Sequence, residues 1–211
     1  MPLLNYKSDY SPEIEIYLWK IEESIEELSS LTLNGKRLLT EAQSRFKAPA
    51  RQREWLAVRA LLQQTPYRKL EILYHSNGKP YFGNSERHIS ISHTQEFVAI
   101  AVSDSLIGID IESPKRNAHA VTGAFLQPQE IEALQEYCDE KNEALRLWTV
   151  KEAAFKFAPD KSMVLKEIMT HRLAENRVKV KTYRITYKDG TTSLCRTTEV
   201  ADFILSICTL E

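Results

Sequence analysis

Asp110 and Glu112 flank Ile111 at the end of the otherwise apolar run 106–112. If that run is a strand, side chains two apart leave the same face with Cα atoms about 6.6 Å apart, so two carboxylates point to one spot. Like charges that close oppose each other's ionisation unless a cation neutralises them, which leaves two readings, a solvent-facing acid pair or part of a metal site. No His or Cys cluster accompanies the acids. Hard oxygen donors favour Mg²⁺, with Mn²⁺ as a substitute, over Zn²⁺. A second group, Trp148-Thr149-Val150-Lys151-Glu152-Ala153-Ala154-Phe155-Lys156, has helical spacing that sets Glu152 and Lys156 four apart on one face. Taken alone, these two read as a surface ion pair, and Trp148 and Phe155 as core residues on one stripe.

The elements around these groups follow from periodicity. Glu13-Ile14-Glu15-Ile16-Tyr17-Leu18-Trp19 alternates like a strand, and Ser24–Leu31 reads as a short helix. Arg51–Gln63 has helical apolar spacing. KLEILYH and PYF surround Asn77-Gly78, a hairpin signal in which both turn residues tolerate positive φ. HISISH (88–93) and FVAIAV (97–102) read as an antiparallel pair that continues through LIGIDI (106–111). Helices are expected again over QPQEIEALQEYC and over 142–157, where Pro159 would stop the second. Arg177–Tyr187, the Asp189-Gly190 turn and Phe203–Cys208 make a β-rich C-terminal third. The order helix, hairpin, apolar strand thus occurs twice, which suggests a pseudo-repeat dividing near residue 105.

The 211 residues are 43% hydrophobic and 27% charged, as in a globular protein with a proper core. A formal net charge of −1 gives no electrostatic reason to expect nucleic acid as a partner. Charge is uneven: residues 13–27 carry six acids against Lys20, whereas 34–53 carry Lys36, Arg37, Arg45, Lys47, Arg51 and Arg53 against Glu41. That basic stretch reads as a phosphate-facing or acidic-partner patch, or as a solvated helix face. Cys138, Cys195 and Cys208 are widely spaced and fit no metal or redox pattern, so a reducing, cytoplasmic setting is expected. Neither a signal peptide nor an 18-residue apolar window is present, so no membrane role is expected.

Read together, the motifs acquire a family. GID-x-E at 108–112 followed by W-T-x-K-E-A-A-x-K at 148–156 resembles the signature of the 4'-phosphopantetheinyl transferase superfamily. N-G-K-P at 77–80 and I-S-H-T at 91–94 resemble the coenzyme A segments of its longer, surfactin-synthetase-activating branch, which usually reads I-S-H-S; Thr94 keeps the hydroxyl. REWLAVRALL at 53–62 looks like that branch's N-terminal helix motif. The resemblance implies an α+β fold of two similar α/β halves packed as a pseudo-dimer in one chain, residues 1–105 and 106–211, working as a monomer with its site in the cleft between halves.

The resemblance also implies roles. Asp110, Glu112 and Glu152 would hold Mg²⁺, Glu152 and Lys156 would be catalytic, and Arg53, Lys79, Ser92, His93, Thr94 and Lys151 would bind coenzyme A. The reaction implied is transfer of 4'-phosphopantetheine from coenzyme A to a serine of an apo acyl or peptidyl carrier protein, releasing 3',5'-ADP, with residues 36–53 available to an acidic carrier. Two other readings stay open on the residues: a Mg²⁺-dependent nucleotide pyrophosphohydrolase, whose dense acidic helix motif is missing, and a catalytically silent module that binds coenzyme A or a carrier.

Overall fold

A computed structural model of the chain describes residues 3–6, 13–136, 142–158, 162–173, 180–200 and 202–211. They form two compact units, Met1–Asp104 and Ser105–Glu211. Both mix helices with antiparallel sheet, as an α+β fold requires.

In the first unit, β1 (Leu3–Tyr6) and β2 (Ile14–Lys20) precede three helices, α1 (Ile25–Ser30), α2 (Gly35–Arg45) and α3 (Pro49–Gln63). Then come a small hairpin, β3 (Ile72–Tyr74) and β4 (Pro80–Phe82), and a larger one, β5 (His88–His93) and β6 (Phe97–Ser103). The sheet order is β1-β2-β6-β5, so β6 is central, and every residue from Phe97 to Ser103 is buried. A strand covered on both faces needs a continuous apolar run rather than alternation, which FVAIAVS supplies. Trp55, Leu56, Ala57, Leu61 and Leu62 of α3 share a core with Val98, Ile100 and Val102 of β6. The helix α2 has no counterpart in the periodicity reading, because its many cations read there as a charge patch.

The second unit begins with β7 (Gly108–Glu112) and runs through α4 (Thr122–Phe125), α5 (Pro128–Glu136), α6 (Glu143–Phe157), β8 (Met169–Arg172), β9 (Val180–Thr186), β10 (Thr192–Val200) and β11 (Phe203–Thr209). Its sheet order is β7-β11-β10-β9-β8, antiparallel throughout. The expectation that β7 extends the β5/β6 pair is corrected here: Asp110 lies opposite Ser206 and Ile111 opposite Leu205, in the sheet of the second unit. Local alternation marks a strand but does not name its partner, which a distant segment supplies. Helix α6 packs on this sheet, tied to β11 where Thr149 Oγ1 and Ser206 Oγ stand 2.8 Å apart. It ends at Phe157; Pro159, like Cys138 and residues 174–179, lies outside the described residues. Cys195 and Cys208 are buried free thiols.

Both glycine turns differ from the mirror-image two-residue turn expected of Asn-Gly. Only the glycines take positive φ, Gly78 at 81° and Gly190 at 83°. Gly78 N–H donates to His75 O and Gly190 N–H to Tyr187 O, each at 2.9 Å, closing three-residue loops. Asn77 Oδ1 accepts from Lys79 N–H at 3.0 Å and Asp189 Oδ1 from Thr191 N–H at 2.9 Å. The side chain thus imitates a backbone turn, which lets Asn and Asp stay at negative φ while glycine alone enters the left-handed region.

Candidate active site

The acid pair of β7 faces α6. A Cβ added at Gly108 would stand 2.0 Å from Ala153 O and 2.6 Å from Phe157 N, so this strand lies against the helix backbone itself. Residues 108, 110 and 112 share one strand face, so the close approach at Gly108 brings Asp110 and Glu112 against the same helix. Lys156 Nζ donates to Asp110 Oδ1 at 2.7 Å, and Trp148 Nε1 donates to Glu112 Oε1 at 3.0 Å. Glu152 sits midway between those two contacts on the i, i+4, i+8 stripe of α6 and is half-buried.

Electrostatics at this face are strained in the expected direction. Asp110 is 5% exposed. Burial, and next the charge of Asp110, push the Glu112 carboxyl up to about 7, against the pull of Arg116, the Trp148 N–H and Lys156. Arg116 forms an ion pair with Glu112 and lies with its guanidinium carbon 4.4 Å from the centre of the Trp148 ring. Phe125 meets that ring edge-on at 5.1 Å. Trp148 and Arg116 are therefore parts of the site that the sequence reading left out, Trp148 having been assigned to the core. Its place in the same i, i+4 stripe as Glu152 was the available signal.

Among the described residues no three His, Cys, Asp or Glu side chains stand close enough together to form a metal site. The expected grouping of Asp110, Glu112 and Glu152 is thus not assembled here, and Lys156 and Arg116 instead balance the two strand acids. The donor chemistry nevertheless fits Mg²⁺, which takes one or two carboxylates and completes its shell with water and substrate phosphates.

Lys151 requires a correction. Its side chain is fully buried, donating to Glu130 Oε2 at 2.6 Å, Phe125 O at 2.8 Å and Leu165 O at 3.4 Å. Burial lowers its proton affinity while Glu130 raises it, with burial prevailing. A cation enclosed this way ties α6 to α5 and does not meet a substrate phosphate.

In the first unit, Arg53 is half-buried. Its guanidinium donates to Glu23 O at 2.7 Å, Ile21 O at 2.9 Å and Gln95 O at 3.5 Å, so it clamps α3 to the loops at the sheet's end. His93 Nδ1 lies 3.3 Å from Glu54 Oε2, and Glu54 also accepts from Arg51 at 2.9 Å. Ser92 is buried on β5. Thr94 Oγ1 accepts from Glu96 N–H at 3.1 Å and Phe97 N–H at 2.9 Å, closing the β5–β6 turn, so the hydroxyl kept at this position has a local structural task. Lys79 belongs to the β3–β4 turn. Three of the six cations of the basic stretch are paired with carboxylates: Arg45 with Glu41, Arg51 with Glu54, and Arg37 with Glu71 at 3.9 Å. Among the described residues, no helix is long and apolar enough to cross a membrane.

Residues 106–208 match the sequence family described as the 4'-phosphopantetheinyl transferase superfamily. The match takes in nearly all of the second unit and just under half of the chain. The chain is similar to the 4'-phosphopantetheinyl transferase AcpT of Escherichia coli, 35% identical over 116 residues covering 52% of this chain and 59% of AcpT. It is also similar to the 4'-phosphopantetheinyl transferase of Bacillus subtilis, 34% identical over 84 residues, or 38% of either chain. A third relative is the 4'-phosphopantetheinyl transferase psf-1 of Bacillus pumilus, 36% identical over 83 residues, or 38% of this chain and 36% of that one. The chain thus spans between about a third and three fifths of the length of these relatives.

Proposed function

We propose that this protein transfers the 4'-phosphopantetheine arm of coenzyme A to a serine hydroxyl of an apo acyl or peptidyl carrier protein. The observation that supports it most is the β7 acid pair set against the Trp148–Glu152–Lys156 stripe, within the stretch that matches the superfamily. The serine oxygen attacks the phosphorus next to pantetheine, a new P–O bond forms, and the bond to 3',5'-ADP breaks. Mg²⁺ held by Asp110 and Glu112, with Glu152 as a third donor, would supply positive charge to the pyrophosphate oxygens.

The chain's own residues account for the rest. Lys156, already on the acid face, neutralises charge on the transferring phosphate. Glu152 accepts the serine proton, directly or through water, since a carboxylate on that stripe is a candidate base. Lys79, His93 and the half-buried Arg53 are the first-unit candidates for the coenzyme A phosphates, with Ser92 and Thr94 beside His93; the fully buried Lys151 of the second unit is not one. We read the two α+β units as halves of a pseudo-dimer that is complete as a monomer, with Lys36 and Lys47 available to an acidic carrier surface.

Incubation with coenzyme A, Mg²⁺ and a panel of apo carrier proteins, followed by mass spectrometry of the carriers, tests the reading. Gain of a phosphopantetheine mass on one carrier, lost with excess chelator, is the expected result. Hydrolysis of coenzyme A without carrier modification would indicate a pyrophosphohydrolase, and coenzyme A binding without any product would indicate a silent binding module.

A further inference from the structure

A cavity of about 480 Å³ lies in the first unit among α2, α3 and residues 68–72. Its walls are charged unevenly: Arg37, Arg59, Arg68 and Lys69 face only Glu41 and Glu71. Both acids are already engaged, Glu41 by Arg45 at 2.9 Å and Glu71 by Arg37 at 3.9 Å. The surplus is therefore cationic, over a floor that Trp55, Leu38, Leu62 and Ile72 make apolar.

Arg59 is the unusual member. Its guanidinium carbon lies 3.4 Å from the centre of the Trp55 ring, a stacked arrangement on a tryptophan that is itself buried. It donates to Trp55 O at 3.2 Å and Tyr74 Oη at 3.3 Å, which engages two of the five N–H donors of an arginine. Among the described residues no carboxylate forms an ion pair with it. The side chain is half-buried, and burial lowers its proton affinity below the ordinary arginine value against the opposite pull of Tyr74 and Glu41. A half-buried cation fixed by an aromatic face, with donors in hand and only Glu41 near it outside ion-pair range, is arranged for an anion from outside the chain. Arg59 lies six residues after Arg53, about 120° round α3 from it, so this cavity is separate from the His93 and Thr94 cluster that Arg53 adjoins.

We propose that this cavity binds a small organic anion, a phosphate monoester or a carboxylate with a flat apolar body. Arg59 takes the anionic oxygens, Arg68 and Lys69 add charge at the rim, and the apolar wall takes the body. The volume suits a ligand of that size. An inorganic anion would meet the cations but forgo the wall.

The test is an NMR titration of the full chain, following the Trp55 indole N–H, assigned by comparison with Trp55→Phe. Phenyl phosphate, benzoate, inorganic phosphate and uncharged benzyl alcohol are added separately. The expected result is saturable binding of phenyl phosphate or benzoate, the tighter of the two naming the anion, with inorganic phosphate weaker and benzyl alcohol silent. Arg59→Gln should weaken binding by roughly 10- to 150-fold, the range for a hydrogen bond between charged groups. Should Arg59→Gln not fold, the exposed Arg68→Gln and Lys69→Gln variants decide, each expected to weaken binding by roughly twofold to fivefold at low salt. The proposal is overturned if neither aromatic anion saturates, if benzyl alcohol binds as well as they do, or if affinity is unchanged in the folded Arg59→Gln variant or in both rim variants. Binding of an acidic peptide alone would also overturn it, in favour of a protein-docking surface.

Discussion

Lys156 Nζ donates to Asp110 Oδ1 at 2.7 Å, linking the last turn of α6 to the middle of β7. The carboxylate is nearly buried and the lysine about a quarter exposed, so the two lose unequally when separated. Lys156→Ala should lower kcat far more than it raises KM for coenzyme A. In chelator it should also lower the unfolding free energy, by on the order of 2 kcal/mol, because the nearly buried Asp110 then loses the ammonium group of Lys156. Excess Mg²⁺ should restore part of that loss, read by urea unfolding. Stability equal to wild type in chelator would show that the pair is merely adjacent.

Gly108 is the second test of how this face is built. A methyl group there would meet Ala153 O and Phe157 N, both backbone atoms that cannot swing aside. Gly108→Ala should therefore move α6 off β7, costing about 2 kcal/mol or more and most of the activity. Gly123→Ala is the matched control, since nothing lies within 4 Å of its added Cβ. It should be neutral or slightly stabilising. Equal effects of the two changes would remove the close-approach argument.

How much of this was legible beforehand varied with the range of the interaction involved. The strands of HISISH and FVAIAV, the helices over 51–63 and 142–157, and the shared face of Asp110 and Glu112 all rest on local periodicity, which sequence carries directly. The partner of β7, the burial of Lys151 and the clamp made by Arg53 depend on segments 20 to 100 residues away. A lysine inside a W-T-x-K-E run gives no local sign that Glu130 waits for it across the helix layer. Charge hid α2, whose buried Ala42 and partly buried Leu38 and Leu39 carry its packing beside the exposed Lys36, Arg37 and Arg45.

Lys151 separates a structural cation from a substrate-binding one. Glu130 Oε1 accepts from Thr170 N–H at 2.9 Å and from Thr170 Oγ1 at 2.6 Å, so the ion pair joins α5, α6 and β8 in one buried knot. Lys151→Ala leaves Glu130 charged, buried and short of its cation, which should cost about 3–5 kcal/mol. The double variant Lys151→Met with Glu130→Gln should be less destabilised than Lys151→Ala, as measured by urea unfolding. At temperatures where the folded state persists, KM for coenzyme A should stay near wild type. A KM rise of tenfold without loss of stability would return Lys151 to the substrate site.

Trp148 is the remaining test, and it separates positioning from packing. The indole N–H reaches Glu112 Oε1 at 3.0 Å while its ring carries Arg116 on one contact and Phe125 on another. Trp148→Phe keeps much of the ring but removes the donor, so Glu112 loses the bond that fixes its direction toward the acid face. A hydrogen bond to a charged group is worth roughly 1.5–3 kcal/mol when fully buried, and less at this half-buried position. The Mg²⁺ concentration for half-maximal activity should accordingly rise by roughly threefold to tenfold, with kcat at saturating Mg²⁺ within about threefold of wild type. Trp148→Leu should add a packing loss, visible as lower unfolding stability, that Trp148→Phe largely avoids. If Trp148→Phe lowers stability but leaves the Mg²⁺ requirement unmoved, the tryptophan serves the core alone, and Glu112 is oriented by Arg116 without it.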